Sequence, residues 1–458
     1  METAADLSHH GILTLIPTLV VLVLAVTIKR PIEALIIGAV VGIIMLNGGD
    51  FVTVTAETTM RVLADDDLIW VILVCGAMGS LIGLFIRTGA LAAFVDIVTK
   101  RVTSRFTAIM ATWALGVALF VDDYLNSITA GAAMRKITDK YRVSREMLAY
   151  VIDSTAAPVS VLIPLSTWGV FFSALLVDTG LAAEGEGIWT YISGIPYMLY
   201  AWIALLIVPL VAAGKFPLIG PMKKAEYRAQ EFGQCVPPGA EHIQASNESI
   251  VEKEGVIRNV WLFIMPLAGL VGFTIYYDME FLPATYATLA LLTLAIIGLR
   301  ILDHHDTFNT IIDGFKTMIE ALAIIFAAYM LKDINDQLGL TDYILELTTP
   351  FMTASTLPFI VFGVMGLIAF ATGSSWGMFV IALPVIAELT LATGAHVPLV
   401  IGATLSASTF GSHACLYADA TVLTAQSCGT TPIQHALSQL PFAVVGALLS
   451  LIGFAILA

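Results

Sequence analysis

Three carboxylates fall where carboxylates are costly. Asp122 and Asp123 are adjacent in Phe120-Val-Asp-Asp-Tyr-Leu-Asn-Ser127, and Asp153 opens Asp153-Ser-Thr-Ala-Ala-Pro-Val-Ser160. Both stretches interrupt long apolar segments, 106–134 and 147–177. An ionisable group at membrane depth costs roughly 3 kcal/mol on insertion scales, so such groups mark ion or substrate paths. Carboxylates, hydroxyls and the carbonyls freed by a broken helix are hard oxygen ligands of the kind an alkali cation requires. Pro158 removes a backbone donor and favours such a break. Asp122, Asp123 and Asp153 are therefore candidate Na+ ligands. Two adjacent carboxylates in a poorly solvated place cannot both ionise cheaply. A proton and a sodium ion would compete for them, which is what exchange of one for the other needs.

Hydroxyl-rich stretches recur in the second half, as Ala371-Thr-Gly-Ser-Ser-Trp-Gly377 and Leu405-Ser-Ala-Ser-Thr-Phe-Gly-Ser-His413. Gly373, Gly377 and Gly411 permit unwound backbone there. Asn126, Ser127, Ser154, Thr155, Ser374, Ser375, Ser408 and Thr409 are secondary ligand candidates, because Ser and Thr also satisfy helix backbone or join helices. His413 reads either as a proton carrier or as a hydrogen-bonded packing residue. Asp419 and His435 rank below it, nearer the inner face. Trp168 and Trp376 read as packing or interfacial residues.

The elements that must hold these residues are membrane helices. Of 458 residues, 58% are hydrophobic and only 12% charged, and the mean hydropathy is +0.90. A soluble domain carries about 25% charge. Soluble globular, secreted disulfide-rich and nucleic-acid-binding classes are excluded, and the expectation is an all-α polytopic membrane protein. Cys75, Cys235, Cys415 and Cys428 form no paired or metal-ligating motif. No phosphate-binding loop is present, so neither an ATP-driven pump nor an enzyme is expected, and no cofactor. The N-terminal segment has acids before its apolar run and Lys29 and Arg30 after it, so it reads as a retained span and not a cleaved signal.

Basic residues mark the inner side. Lys100, Arg101 and Arg105 precede the 106–134 segment, and Arg135, Lys136, Lys140, Arg142 and Arg145 follow it. Two crossings need about 40 residues, more than this segment offers. A re-entrant helical hairpin with its tip near residues 120–127 resolves the conflict, provided it is buried in protein or lines a cavity. The polar 214–257 segment is the inner loop between halves, and 48–67 reads as an outer connection. The count is about ten crossings plus two hairpins, with both termini outside. An offset of 250 brings Gly89 onto Gly339, Gly116 onto Gly366 and Phe120 onto Phe370, while 254 brings Ser154-Thr155 onto Ser408-Thr409. With about five crossings per half, residues 1–213 and 258–458 read as two inverted-topology repeats, each with a re-entrant hairpin (106–134, 356–390) and a broken helix. That is the pattern of a secondary transporter.

The stretches Leu119–Ser127 and Asp153–Pro158, with Ala371–Gly377 and Ser412-His-Ala-Cys-Leu-Tyr-Ala-Asp419, resemble the NhaC family of Na+/H+ antiporters, of the ion transporter superfamily. The resemblance covers most of the chain except the 214–257 loop. It implies two inverted repeats, a homodimer in a bacterial-type inner membrane, and a transport body moving as an elevator. It places ion and substrate sites at the hairpin tips and unwound helices: Asp122, Asp123, Asn126, Asp153, Ser154 and Thr155 on one side, Thr372, Ser374, Ser408 and Thr409 on the other. Na+ and H+ are the expected partners. The alternative is a Na+-coupled carrier of a small carboxylate or amino acid, favoured by the hydroxyl-rich second half.

Overall fold

The computed structural model describes residues 9–28, 30–373 and 375–458, and among them it is helical throughout, with no strand. Residues 1–8, Lys29 and Ser374 lie outside the described residues, as do the side chains of Val26, Pro31, Trp376, Val380 and Ile381. Among the described residues, four helical stretches (Ile32–Leu63, Asp66–Arg87, Phe281–Gly298 and Pro432–Leu457) are long and apolar enough to cross a bilayer, and up to seven qualify if each bent pair is one span. The chain is an integral membrane protein.

Local sequence sets the helix starts. Ser104 and Thr107 form a reciprocal capping box before Arg105–Ala118, and Ser144 accepts from the Met147 N–H at the start of Arg145–Asp153. Such caps satisfy amide groups that no helical carbonyl can reach. The first hairpin consists of Arg105–Ala118 and Asp123–Lys140, joined by the break 119–122. Its feet meet, since Arg105 Nη1 donates to the Arg142 carbonyl at 2.9 Å and the Tyr141 hydroxyl donates to the Val102 carbonyl. Its two legs therefore start and finish at one end, as the short 106–134 segment demands.

The first broken helix runs Arg145–Asp153, unwinds at 154–156 and resumes at Ala157–Leu162. It then bends 41° into Thr167–Asp178. In the second half, Leu357–Thr372 and Ser375–Thr393 flank a left-handed Gly373, and Val397–Ala414 bends 45° into Asp419–Cys428. One expectation needs correction here. The helix is continuous through Leu405–His413, and the unwound stretch is 415–418. Gly411 serves close packing instead: a Cβ there would sit 2.2 Å from that of Ala369. Within the 48–67 segment, Phe51–Leu63 is helical.

The 214–257 segment forms Gly220–Phe232 and Glu241–Asn247 and docks on the turn between the first hairpin and the first broken helix. Arg228 makes a two-pronged bond to Glu146 (2.9 and 2.8 Å). Glu226 accepts from the Ser144 amide and hydroxyl and pairs with Arg105.

Buried apolar side chains form two main cores. One gathers residues from 21 to 152 with 262 to 331 and 415 to 436; the other joins 157 to 205 with 345 to 414 and 443 to 454. Each draws on both halves of the sequence. The chain passes from one core to the other at its breaks: Ile152 belongs to the first and Ala157 to the second, Ala414 to the second and Cys415 to the first. Leu119 sits in the first core while Phe120 packs on the second. The unwound segments therefore lie along the seam between two packed bodies.

Candidate functional site

Asp122 is the N-cap of the helix Asp123–Lys140. Its Oδ1 accepts from the amides of Tyr124 (2.9 Å) and Leu125 (3.1 Å), and its Oδ2 from the Thr167 hydroxyl (3.0 Å). Helix N-termini stabilise negative charge through free amides and the aligned peptide dipoles. Asp123 Oδ1 accepts from the Trp168 indole N–H at 3.1 Å. The two carboxyl side chains are 1% and 3% exposed, and neither has a Lys or Arg partner among the described residues. The break itself is clamped from both sides of the bend after the first broken helix: the Thr167 amide donates to the Val121 carbonyl (3.0 Å), and the Ser160 hydroxyl to that of Phe120 (3.2 Å).

A cavity of about 460 Å³ reaches Asp122. Asp122, Tyr124 and Thr167 line its inner end, and Asp67, Asp278 and Glu280 its other walls. The Tyr124 hydroxyl donates to Asp419, the first residue of the helix after the second unwound stretch. Tyr124 thus links two carboxylates, Asp122 through its amide and Asp419 through its hydroxyl.

Asn126 ties the hairpin to the broken helix. Its Nδ2 donates to the carbonyls of Gly116 (2.8 Å) and Thr155 (2.6 Å). Its Oδ1 is buried with no hydrogen-bond partner among the described residues, as are Ser127 Oγ, Thr129 Oγ1, Ser408 Oγ and Thr424 Oγ1. Unpaired buried oxygen costs about 1–3 kcal/mol, and such atoms suit a cation. Gly116 is required here: a Cβ would lie 2.0 Å from Thr155 Oγ1 and 3.4 Å from Asn126 Oδ1.

Asp153 occupies a different place. Its Oδ2 accepts from Gln439 Nε2 (2.6 Å) and lies 3.1 Å from His435 Nε2. His413 stands beside it, with Nε2 3.2 Å from the Ser154 hydroxyl and Nδ1 2.7 Å from that of Tyr200. Gln439 also donates to the His413 carbonyl. Asp153, His413, His435 and Gln439 thus form one buried network, and none of its hydrogen bonds involves Asp122 or Asp123. Among the described residues no group of three or more His, Cys, Asp or Glu is arranged to hold a metal ion. The three carboxylates expected in one ligand set divide between two centres.

The other candidates resolve individually. Thr155 and Thr409 return their hydroxyls to backbone one turn earlier, at Val151 (3.1 Å) and Leu405 (2.7 Å), the local bonding that makes hydroxyls weak evidence of ligation. Thr372 does likewise, to the Ile368 carbonyl at 2.9 Å. Ser375 approaches the Ser408 carbonyl at 3.5 Å. Ser374 lies outside the described residues. Trp168 is a carboxylate donor rather than packing alone, and Asp419 and His435 belong to the two centres. For Asp419 the signal was present, since an acid within an apolar segment costs as much there as at Asp123. His435 and Gln439, one helical turn apart, share a face with each other. Nothing in the sequence around Trp168 pointed to its partner.

Buried carboxylates on a seam between helix bodies, in an integral membrane chain, define a secondary transporter. Residues 181–458 match the model of the Na+/H+ antiporter family, and the chain belongs to that family. An uncharacterised protein of Haemophilus influenzae is 28% identical over 476 aligned residues, spanning 96% of this chain and 90% of that protein. Two solved structures align at 13% identity and a TM-score of 0.39. Neisseria gonorrhoeae MtrF, described within a class of antimetabolite efflux pumps, aligns over 96% of this chain and 94% of its own. The Alcanivorax borkumensis YdaH transporter, described as having an unusual topology, aligns over 96% and 98%. These two overlays are too loose to argue from.

Proposed function

We propose that this chain exchanges Na+ for H+ and that Asp122 and Asp123 are the carboxylates for which the two ions compete. One observation carries the reading: two adjacent buried carboxylates, without a basic partner among the described residues, stand at a helix start, and the first of them lines an acidic cavity. Without Na+, holding both ionised in so dry a place is costly, so a proton neutralises one of them. Na+ removes the need for that proton. Asn126 Oδ1 and Ser127 Oγ would complete the oxygen shell, and Asp67, Asp278 and Glu280 would draw cations into the cavity. Asp153, hydrogen-bonded to His435, would be a second acidic station rather than a third ligand.

The seam supports an elevator motion, in which one core slides against the other and carries the break segments across the bilayer. The halves 1–213 and 258–458, joined by 214–257, would be inverted repeats. Left-handed Gly89 and Gly339 at equivalent helix junctions support this, as do the recurring bends after Leu162 and Ala414.

The test uses purified protein in liposomes with a pH-sensitive dye inside, an imposed Na+ gradient and no organic solute. Prompt Na+-driven proton movement supports exchange. Silence that an added amino or organic acid relieves would replace this reading with a Na+-coupled carrier.

A further inference from the structure

A second cavity, of about 530 Å³, lies between the foot of the first hairpin and the docked linker. Four cations and four acids line it, and most of them are mutually engaged. Arg145 makes a two-pronged bond to Asp139 (2.9 and 2.7 Å) and donates to the Cys428 carbonyl (2.6 Å). Arg258 grips Glu252 through two 2.8 Å bonds and reaches Asp96 at 2.9 Å. The side chains of half-buried Arg135 and exposed Lys136 are left with no hydrogen bond or ion pair among the described residues. The one acid of the lining without a cation is Glu248, which accepts from Gln244 at 3.0 Å. Two free cations therefore face one carboxylate. The wall formed by Ile86, Leu91, Ala92 and Val95 is apolar.

A half-buried guanidinium without a counter-ion is uncommon, because removing it from water is costly unless an anion compensates. Arg135 forms no ion pair among the described residues: the like charge of Arg145 is close by, Asp139 is held by Arg145, and Glu248 is the one nearby acid left over. A planar guanidinium matches two oxygens of one phosphate, and the lysine adds a point charge. The volume is that of a small-molecule site, and an apolar wall opposite a few polar groups is its usual lining. We propose that this cavity binds a phosphoryl group through Arg135 and Lys136, with the ligand's apolar part against Ile86–Val95. The phosphate of a soluble organic phosphate and that of an anionic lipid headgroup offer the same chemistry. The binding site is separate from the ion site, and its occupant would bridge the hairpin foot and the linker helix Glu241–Asn247.

The experiment uses the full-length protein in nanodiscs and reads thermal unfolding. Pyrophosphate is titrated in neutral-lipid discs against chloride at matched ionic strength, and anionic phosphatidylglycerol is introduced in a parallel series without pyrophosphate. Stabilisation by pyrophosphate in neutral discs assigns a soluble phosphate; stabilisation by the anionic lipid alone assigns a headgroup. In either case Arg135→Gln weakens the effect at least about tenfold, the loss expected for a charge-assisted bond, and Arg135→Lys retains part of it. No stabilisation of the wild-type protein by either addition overturns the proposal, whatever the variants do. Equal stabilisation of wild type and Arg135→Gln overturns it as well.

Discussion

The Trp168 indole isolates one interaction at the proposed ion site. Its Nε1 donates to Asp123 Oδ1 at 3.1 Å, while its ring packs edge-on against Phe379, with centroids 6.1 Å apart and planes at 89°. Trp168→Phe removes the donor and keeps an aromatic ring in that packing. A hydrogen bond to a charged group contributes roughly 1.5–3 kcal/mol. If Asp123 must be ionised to receive Na+, losing the donor withdraws that support from the Na+-ready form. The Na+ concentration for half-maximal exchange at fixed pH then rises roughly ten- to hundredfold, since about 1.4 kcal/mol corresponds to a factor of ten. Proteoliposomes carrying a pH dye, assayed over a Na+ series, give this number, and the maximal rate at saturating Na+ serves as the folding control. An unchanged half-maximal Na+ concentration in a folded Trp168→Phe protein would refute the assignment of Asp123 as a Na+-competent carboxylate.

Further outcomes follow from the surrounding structure. Gly116→Ala forces a methyl to within 2.0 Å of Thr155 Oγ1; overpacking of this kind costs about 1–3 kcal/mol, so melting in detergent should fall measurably and exchange with it, while Gly363→Ala, where the added Cβ meets only Leu451 at 3.9 Å, should leave both unchanged. At the linker, burial tends to raise the Asp306 carboxyl, but hydrogen bonds from Arg87 and Lys253 outweigh it and hold the pKa below the usual value. A depressed folded pKa gives stability that is present above the unfolded value and lost as pH falls through the folded one. Limited proteolysis of residues 248–257 should therefore be constant from about pH 8 to pH 5 and accelerate only below about pH 4.

The parts legible in the sequence were those fixed by the cost of burying charge and by chain length. Asp122 and Asp123 stood out because nothing apolar explains them, and the hairpin followed from a segment too short for two crossings. The break at 154–156 was legible from its composition. The second unwound stretch was misplaced because Gly411 was read as backbone freedom, whereas the glycine admits Ala369 in a helix that stays wound. Hydroxyl-rich composition cannot tell a ligand from a side chain bonded to its own helix, and Thr409 proved to be the latter. The division of the carboxylates between two centres was not legible at all. It depends on which helices meet, and His435 and Gln439 reach Asp153 from the last helix, Pro432–Leu457. Nor could sequence order show that each core is built from both halves.

Direct measurement of Na+ binding tests the central claim most closely. Radioactive Na+ binding to the purified protein would be titrated at two pH values, alongside Asp122→Asn, Asp123→Asn and Asp153→Asn. Saturable binding that weakens as pH falls, is abolished in Asp122→Asn and Asp123→Asn, and persists in Asp153→Asn is the predicted result. Undiminished Na+ binding in the Asp122→Asn and Asp123→Asn proteins, or binding indifferent to pH, would contradict it.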